Sequence, residues 1–116
     1  MALPADVREQ SEAHLDLFCR NQVPEDLHDE LRVEYKVRGN ALTIFERRPP
    51  WREDMGPEWS STEVAQLRYD PNGMMWTLYW KRANGRWDPY GEPSPSRDVG
   101  PLLAVVADDP DGCFWG

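Results

Sequence analysis

Arginine and tryptophan are the residues of this chain whose types and spacing could do chemistry. Glu46, Arg47, Arg48, Trp51, Arg52 and Trp59 crowd one stretch, and Trp80, Arg82, Arg86 and Trp87 crowd a second. A guanidinium offers a rigid fork of donors to carboxylate or phosphate, and an indole offers a face on which a base or another planar group can stack. Together they suit an anionic or aromatic small ligand, or a protein segment carrying such groups. The same residues can also do no more than brace a loop, with Glu46 pairing an arginine and the rings lying over a sheet edge. The candidate ligand-binding set is Glu46, Arg47, Arg48, Trp51, Arg52, Trp59, Trp80, Arg82 and Trp87.

Catalytic constellations are fewer. Glu34-Tyr35-Lys36 has the acid-x-lysine form of metal-dependent nucleases, and strand alternation puts Glu34 and Lys36 on one face. That chemistry needs a further acid on a neighbouring strand to share Mg²⁺, and Arg32 and Arg38 on the same face make a charge-mixed solvated strand the plainer account. It stands as the alternative function, a nucleic-acid-processing enzyme. Ser60, Ser61, Ser94 and Ser96 have no histidine near them in sequence, and there is no nucleophile elbow, phosphate loop or dinucleotide fingerprint. His14 reads as a packing residue of a helix and His28 as a solvated one. Cys19 and Cys113 lie far apart in no metal-ligand spacing, as free thiols of a reducing compartment would. No catalytic residue, metal or cofactor is assigned, and the reading leans away from an enzyme.

The formal charge of −8 is unevenly spread. Residues 1–30 hold two arginines against eight acids, residues 31–90 hold ten Lys/Arg against eight acids, and residues 91–116 hold one arginine against five acids. The middle is mildly basic between two acidic ends. Duplex nucleic acid is a poor partner for such a chain, because that binding rests on neutralising many phosphates. No apolar run approaches the roughly 20 residues of a membrane span and no signal peptide is evident, so a cytoplasmic protein without a membrane partner is expected.

The elements that must position the candidate residues are legible as periods. At 116 residues the chain fits one domain spanning residues 1–116. Its mean hydropathy of −0.76 beside six Trp, four Tyr and three Phe implies a core of few, large side chains. Asp6 with Glu9 after Pro4 resembles a capping box, followed by Val7, Ser11, His14, Leu15 and Phe18 at helical spacing until Asn21 and Pro24. Pro24-Glu25-Asp26 opens a short second helix with Val23, Leu27 and Leu31 to pack. From Leu31 the period is two: Leu31, Val33, Tyr35 and Val37 against Arg32, Glu34, Lys36 and Arg38. Gly39-Asn40 turns this strand into Ala41 to Arg48. A long connection, 49–61, leads to a strand from Glu63 to Asp70, with Val64, Gln66 and Arg68 opposed to Ala65, Leu67 and Tyr69. Pro71-Asn72-Gly73 turns into a strand over Met75 to Trp80 whose two faces, Trp76, Leu78 and Trp80 against Met75, Thr77 and Tyr79, both carry bulk that wants cover. Asn84-Gly85 predicts a type I′ hairpin to Arg86–Tyr90, where Pro89 suits an edge. Glu92 to Ser96 is a stiff polar connector. A last helix starts near Asp98 to Pro101, buries Leu102, Leu103, Val105 and Val106, and stops at Pro110-Asp111-Gly112; the apolar terminus Cys113 to Gly116 should dock.

The expected fold is therefore α+β: a four- or five-stranded antiparallel meander, with an N-terminal helix, a short second helix and a C-terminal helix on the sheet. Trp76, Leu78, Leu67, Val33, Phe18, Leu15, Leu103 and Val106 should share its core. Glu46-Arg47-Arg48-Pro49-Pro50-Trp51 after a Gly39-Asn40 hairpin, Tyr79-Trp80 and Arg82-Ala83 in the central hairpin, Val106-Ala107-Asp108-Asp109, Gly112-Cys113-Phe114-Trp115-Gly116, Val23-Pro24 and Asp29-Glu30-Leu31 resemble a family of small bacterial proteins known as a domain of unknown function of the DUF3024 type. The resemblance implies a bacterial, cytoplasmic protein and carries no activity or site residue.

Overall fold

The computed structural model describes residues 2–92 and 94–115. Pro93, inside the expected polar connector, Gly116, at the end of the expected docked terminus, and the Glu53 side chain lie outside the described residues. The order of elements is helix α1 (Ala5–Gln22), a 3₁₀ turn (Glu25–Leu27), strands β1 (Arg32–Arg38) and β2 (Ala41–Arg48), a second 3₁₀ turn (Glu53–Met55), strands β3 (Ser60–Asp70), β4 (Met75–Lys81) and β5 (Trp87–Pro89), and helix α2 (Gly100–Asp108). The strands form one antiparallel sheet in the order β1-β2-β3-β4-β5, the α+β meander expected.

Helix α1 starts without the expected capping box. Pro4 takes the N-cap position and no side chain caps the helix, so Asp6 lies inside the first turn, where its charge faces the N-terminal amides. Ser11 and Leu15 are buried and Val7 and Phe18 pack at the core margin, but His14 is exposed, one step too far round the helix to belong to the inward stripe. The buried Ser11 hydroxyl donates to the Arg8 carbonyl at 3.1 Å. The second helix is only the 3₁₀ turn; Val23 is buried, whereas Leu27 is left 40% exposed. His28 is half-buried, its Nε2 lying 3.1 Å from the Val23 carbonyl oxygen, so it fastens this turn rather than standing free in solvent.

The first hairpin has two loop residues, because Arg38 pairs with Ala41 and Gly39 takes the positive φ of 60°. The second is not type I′. Gly85 N–H donates to the Arg82 carbonyl at 2.9 Å and Arg82 N–H to the Arg86 carbonyl at 2.8 Å, and only Gly85 has positive φ, 86°. This is a three-residue loop built as a turn followed by a left-handed glycine, which matches strand twist with one strained residue instead of two. Asn84 serves it differently, its side-chain oxygen accepting from Arg86 N–H at 3.0 Å.

Strand β3 carries a bulge. Ile44 pairs with Ala65 but Phe45 with Glu63, so Val64 has no partner and both Val64 and Ala65 turn inward, 3% and 0% exposed. Val64 therefore leaves the Gln66 and Arg68 face on which simple alternation places it. Both helices pack on one side of the sheet, where Leu42, Ile44, Leu67, Trp76 and Leu78 meet Leu15, Leu102, Leu103 and Val106. Of the eight expected core residues, seven are buried and Phe18 lies at the margin. The terminus docks there too: Asp109, at φ 45°, accepts Phe114 N–H and Trp115 N–H on its two carboxylate oxygens at 3.1 Å each, and Trp115 Nε1–H donates to the Val106 carbonyl at 2.7 Å. Thr77 and Tyr79, on the other side of β4, receive no such cover. The expectation that both faces of this strand are packed is thus corrected: helices and terminus converge on one face, and the opposite face is open.

Candidate functional site

The open face can be read off the register, because residues paired across antiparallel strands point the same way. Its rows run Arg38, Ala41, Arg68, Thr77; then Lys36, Thr43, Gln66, Tyr79; then Glu34, Phe45, Glu63; and, towards the long loop, Arg32, Arg47, Ser61, with Lys81 and Trp87 paired at the β4–β5 edge. Six cations from four strands, Arg32, Lys36, Arg38, Arg47, Arg68 and Lys81, stand against Glu34, Glu63 and, at the rim, Asp70. The face is thus net +3 in a chain of −8, which leaves −11 for the remainder of the molecule. Alternation has sorted charge as well as hydrophobicity.

Two of these cations are matched to carboxylates. Arg47 lies 3.6 Å from Glu34, and Lys81 Nζ donates to Glu63 at 2.5 Å. Among the described residues Arg32, Lys36, Arg38 and Arg68 have no carboxylate within ion-pair distance. Arg32, Lys36 and Arg68 lie instead against rings, an amide or a carbonyl. The Arg68 guanidinium is 3.9 Å from the centre of the Tyr79 ring and donates from Nε to Gln66 at 2.6 Å, while Gln66 donates to the Thr43 hydroxyl at 2.9 Å. Arg32 sits 4.3 Å from the centre of the Trp59 ring and donates to the His28 carbonyl; Lys36 and Lys81 approach the Phe45 and Trp87 rings at 5.8 and 5.7 Å. Cations alternating with rings across an uncovered sheet make a surface that can hold anionic and planar groups together.

The candidate residues read from sequence do not form one patch. Arg47, Trp59 and Trp87 belong to the open face. Glu46 lies on the helix side, pairs with Arg48 at 3.3 Å, and lines a cleft of about 250 Å³ with Val64, Arg82, Phe114 and Trp115. Trp80 is also on the helix side, partly buried against the core and facing Tyr90 and Cys113, and Arg82 is engaged with Asp88 at 3.0 Å. Trp51 stands out at the loop tip, 75% exposed, with the Arg52 guanidinium 4.4 Å from its ring centre and Asp54 3.3 Å from Arg52. Trp59 joins that loop to the open face. Arg32, Arg38, Phe45, Arg68, Tyr79 and Lys81 share this face and are absent from the candidate set read from sequence, and Lys36 enters only through the nuclease alternative. Their signal was the polar half of each strand, read one strand at a time as solvated instead of summed across the sheet.

The nuclease alternative gains little from the geometry. Glu34 and Lys36 share a face as required, but Phe45 stands across from Glu34 on β2, the next acid in that row is Glu63 on β3, already held by Lys81, and Glu34 itself lies against Arg47. Among the described residues no three His, Cys, Asp or Glu side chains gather. A second cleft, of about 220 Å³, lies between α1 and the chain before α2 and is lined by His14, Asp98, Arg97 and Trp76. Among the described residues no hydrogen bond joins His14 to the acids there.

Three half-buried titratable groups on the helix side are shifted towards their neutral forms. Burial pushes the Cys19 thiol up to about 12, with Asp16 and Glu34 adding to it. Tyr35 is raised by burial and by the bonds its hydroxyl makes to Asp16 and Glu12, at 2.8 and 3.0 Å. Burial also raises Cys113.

Compared with known proteins, the chain matches the family model described as a domain of unknown function, DUF3024, over residues 3–116. The chain belongs to the DUF3024 family. No curated protein and no solved structure matches it. The DUF3024 match spans both helices and all five strands.

Proposed function

We propose that this DUF3024 chain is a non-enzymatic binding module that takes an anionic or aromatic partner on the open face of its sheet and on the adjoining loop that carries Trp51 and Trp59. One observation supports the reading above others: the face turned away from the helices presents six cations interleaved with aromatic rings, four of those cations lacking a carboxylate among the described residues. An enzyme would need polar groups converging in a pocket, whereas these cations are spread over four strands of the sheet. We include a bacterial, cytoplasmic setting, supported by the family resemblance and by two unpaired thiols, Cys19 and Cys113. Among the described residues no helix is long and apolar enough to cross a membrane.

The test is a titration of tryptophan fluorescence with inorganic polyphosphate, a heparin fragment, nucleoside monophosphates and short oligonucleotides. Saturable binding of at least one probe, weakened at least about tenfold by Trp51→Ala or by Lys36→Glu with the fold intact, is expected. If no probe binds below about 1 mM, which corresponds to roughly 4 kcal/mol of binding, the face is only a solvated sheet surface and the reading is wrong.

A further inference from the structure

Resting on that binding reading, we propose that the partner is single-stranded nucleic acid, lying along β2 with its phosphates held by Lys36, Arg38 and Arg68 and its bases stacked on Phe45 and on the Arg68–Tyr79 pair. The lowest part of the open face is β2, where half-buried Ala41 and Thr43, only 3% exposed beneath the Gln66 amide, form a floor flanked by Lys36 and Arg38 from β1 and by Gln66 and Arg68 from β3. Arg38 and Arg68 stand in one row on either side of Ala41, their Cα atoms about two strand spacings apart, roughly 10 Å, so a chain running along β2 has a cation on each flank. Lys36 is one row further along, about 7 Å away by strand rise. The interval from Lys36 to Arg38, which runs along the strand, is close to the step from phosphate to phosphate of an extended single strand, and Arg68 lies across β2 from Arg38.

The rings lie beside the cations rather than apart from them. Phe45 follows Thr43 on the same face of β2, and Tyr79 lies under Arg68. A guanidinium against a ring can keep its outer face for a base and its edges for phosphate oxygens, so each pair serves both halves of a nucleotide. Trp87, at the far end of the β4–β5 pair, and Trp59, beneath Arg32, offer further rings at two borders of the same face. An acidic peptide would use the cations and leave the rings idle. A duplex would do the same, since its bases are already stacked and only phosphates reach the surface, and the −11 charge elsewhere works against binding by phosphates alone. A single strand engages both sets, and a surface of this breadth takes about four nucleotides.

The experiment is fluorescence anisotropy of labelled ten-nucleotide single strands, poly-U and poly-dT, against the same length of duplex and against a labelled inorganic polyphosphate. Single strands should bind at least about tenfold tighter than duplex, with a log–log salt slope near −2 for three phosphate contacts. Tyr79→Ala should weaken single strands about tenfold or more while Tyr79→Phe retains most affinity, because the ring rather than the hydroxyl stacks. Lys36→Glu with Arg38→Glu should cost more than tenfold and flatten the salt slope; both residues are exposed, so folding is retained and is checked by circular dichroism. Binding of polyphosphate but not of single strands would overturn the nucleic-acid assignment and leave the binding reading standing. Oligonucleotide binding lost in Trp51→Ala but indifferent to Tyr79→Ala and to the charge reversals would move the site to the loop and overturn this inference alone. No binding of any probe would overturn both.

Discussion

Trp76 and Tyr79 sit three residues apart on one strand and face opposite ways, so truncating each tests the sidedness on which the site depends. Trp76 is 2% exposed and packs on Tyr69 with ring centres 5.0 Å apart. Replacing it by alanine removes on the order of 150 Å² of apolar surface from the core, worth about 4 kcal/mol at about 25 cal/mol per Å². That agrees with the roughly 3–5 kcal/mol typical of large aromatic truncations. Its backbone bonds to Ser96, N–H to carbonyl in both directions, survive the change. With an unfolding entropy of about 2.1 cal/mol/K per residue, about 4 kcal/mol lowers Tm by about 15 °C in a chain of 116 residues. Tyr79→Ala loses a half-exposed ring and one contact with Arg68, about 1 kcal/mol or roughly 4 °C. Thermal melts followed by far-UV circular dichroism, with urea midpoints as a second measure, read both. A Tyr79→Ala shift as large as that of Trp76→Ala would mean that the outer face is covered, and the candidate site would go with it.

Other outcomes follow from single contacts. With its pKa raised to about 12, Cys19 should carry on the order of a thousandfold less thiolate at pH 8 than an ordinary cysteine, and alkylation resolved by peptide mass should show it reacting correspondingly slowly; a rate equal to that of the urea-unfolded chain would refute the burial argument. Because the folded-state value is raised, the stability contributed by Cys19 is whole below about pH 9 and is lost as pH climbs towards 12, with Tyr35 shifted in the same sense, so the alkaline limb of stability should begin early. Glu12 is displaced the other way, held below its ordinary range by hydrogen bonds from Arg8 and Tyr35, so its contribution is present above pH 4.5 and fades as pH falls through the lowered value. Glu12→Gln should flatten that acid limb by less than about 1 kcal/mol, the partial exposure of the pair limiting it, and an unchanged urea midpoint across pH 3–5 in both proteins would count against the contact. Asp109→Gly keeps the left-handed backbone but deletes both acceptors of the terminal amides, and should cost about 1–2 kcal/mol with a red shift of Trp115 emission; a variant as stable as the parent would show that the carboxylate does not hold the terminus.

Much of the fold is legible in sequence because strand and helix periods are strong here. Val33, Tyr35 and Val37 alternate without interruption, Gly39-Asn40 marks its turn, and Leu102, Leu103 and Val106 fix the buried side of α2. What escapes is what periodicity cannot encode. Val64-Ala65-Gln66-Leu67 reads as clean alternation, yet pairing with β2 skips Val64, and only the partner strand reveals the skip. Asn84-Gly85 is the strongest local signal of a two-residue hairpin, but the neighbouring Arg82 and Arg86 bond each other across three residues and leave a single positive φ. Local propensity proposes a turn; register chooses it.

The site was harder to read for a different reason. Sequence neighbours Glu46, Arg47 and Arg48 look like one cluster, but along a strand consecutive side chains point to opposite faces, so Arg47 goes to the open side while Glu46 and Arg48 pair with each other on the helix side. Conversely, Arg38 and Arg68 are thirty positions apart in sequence and share a row. Density of Arg and Trp along the chain therefore measures crowding on both faces at once, whereas the polar half of each strand, summed across β1 to β4, measures one face. The rule that buries Leu42, Ile44 and Leu78 on the helix side also places Ala41, Phe45 and Tyr79 on the other, with Thr43 buried there beneath Gln66, so the residues that build the core and those that compose the face interleave on the same strands. Substitutions on the face can then be made without touching the core, and a loss of binding in a protein that melts normally points to recognition rather than to folding.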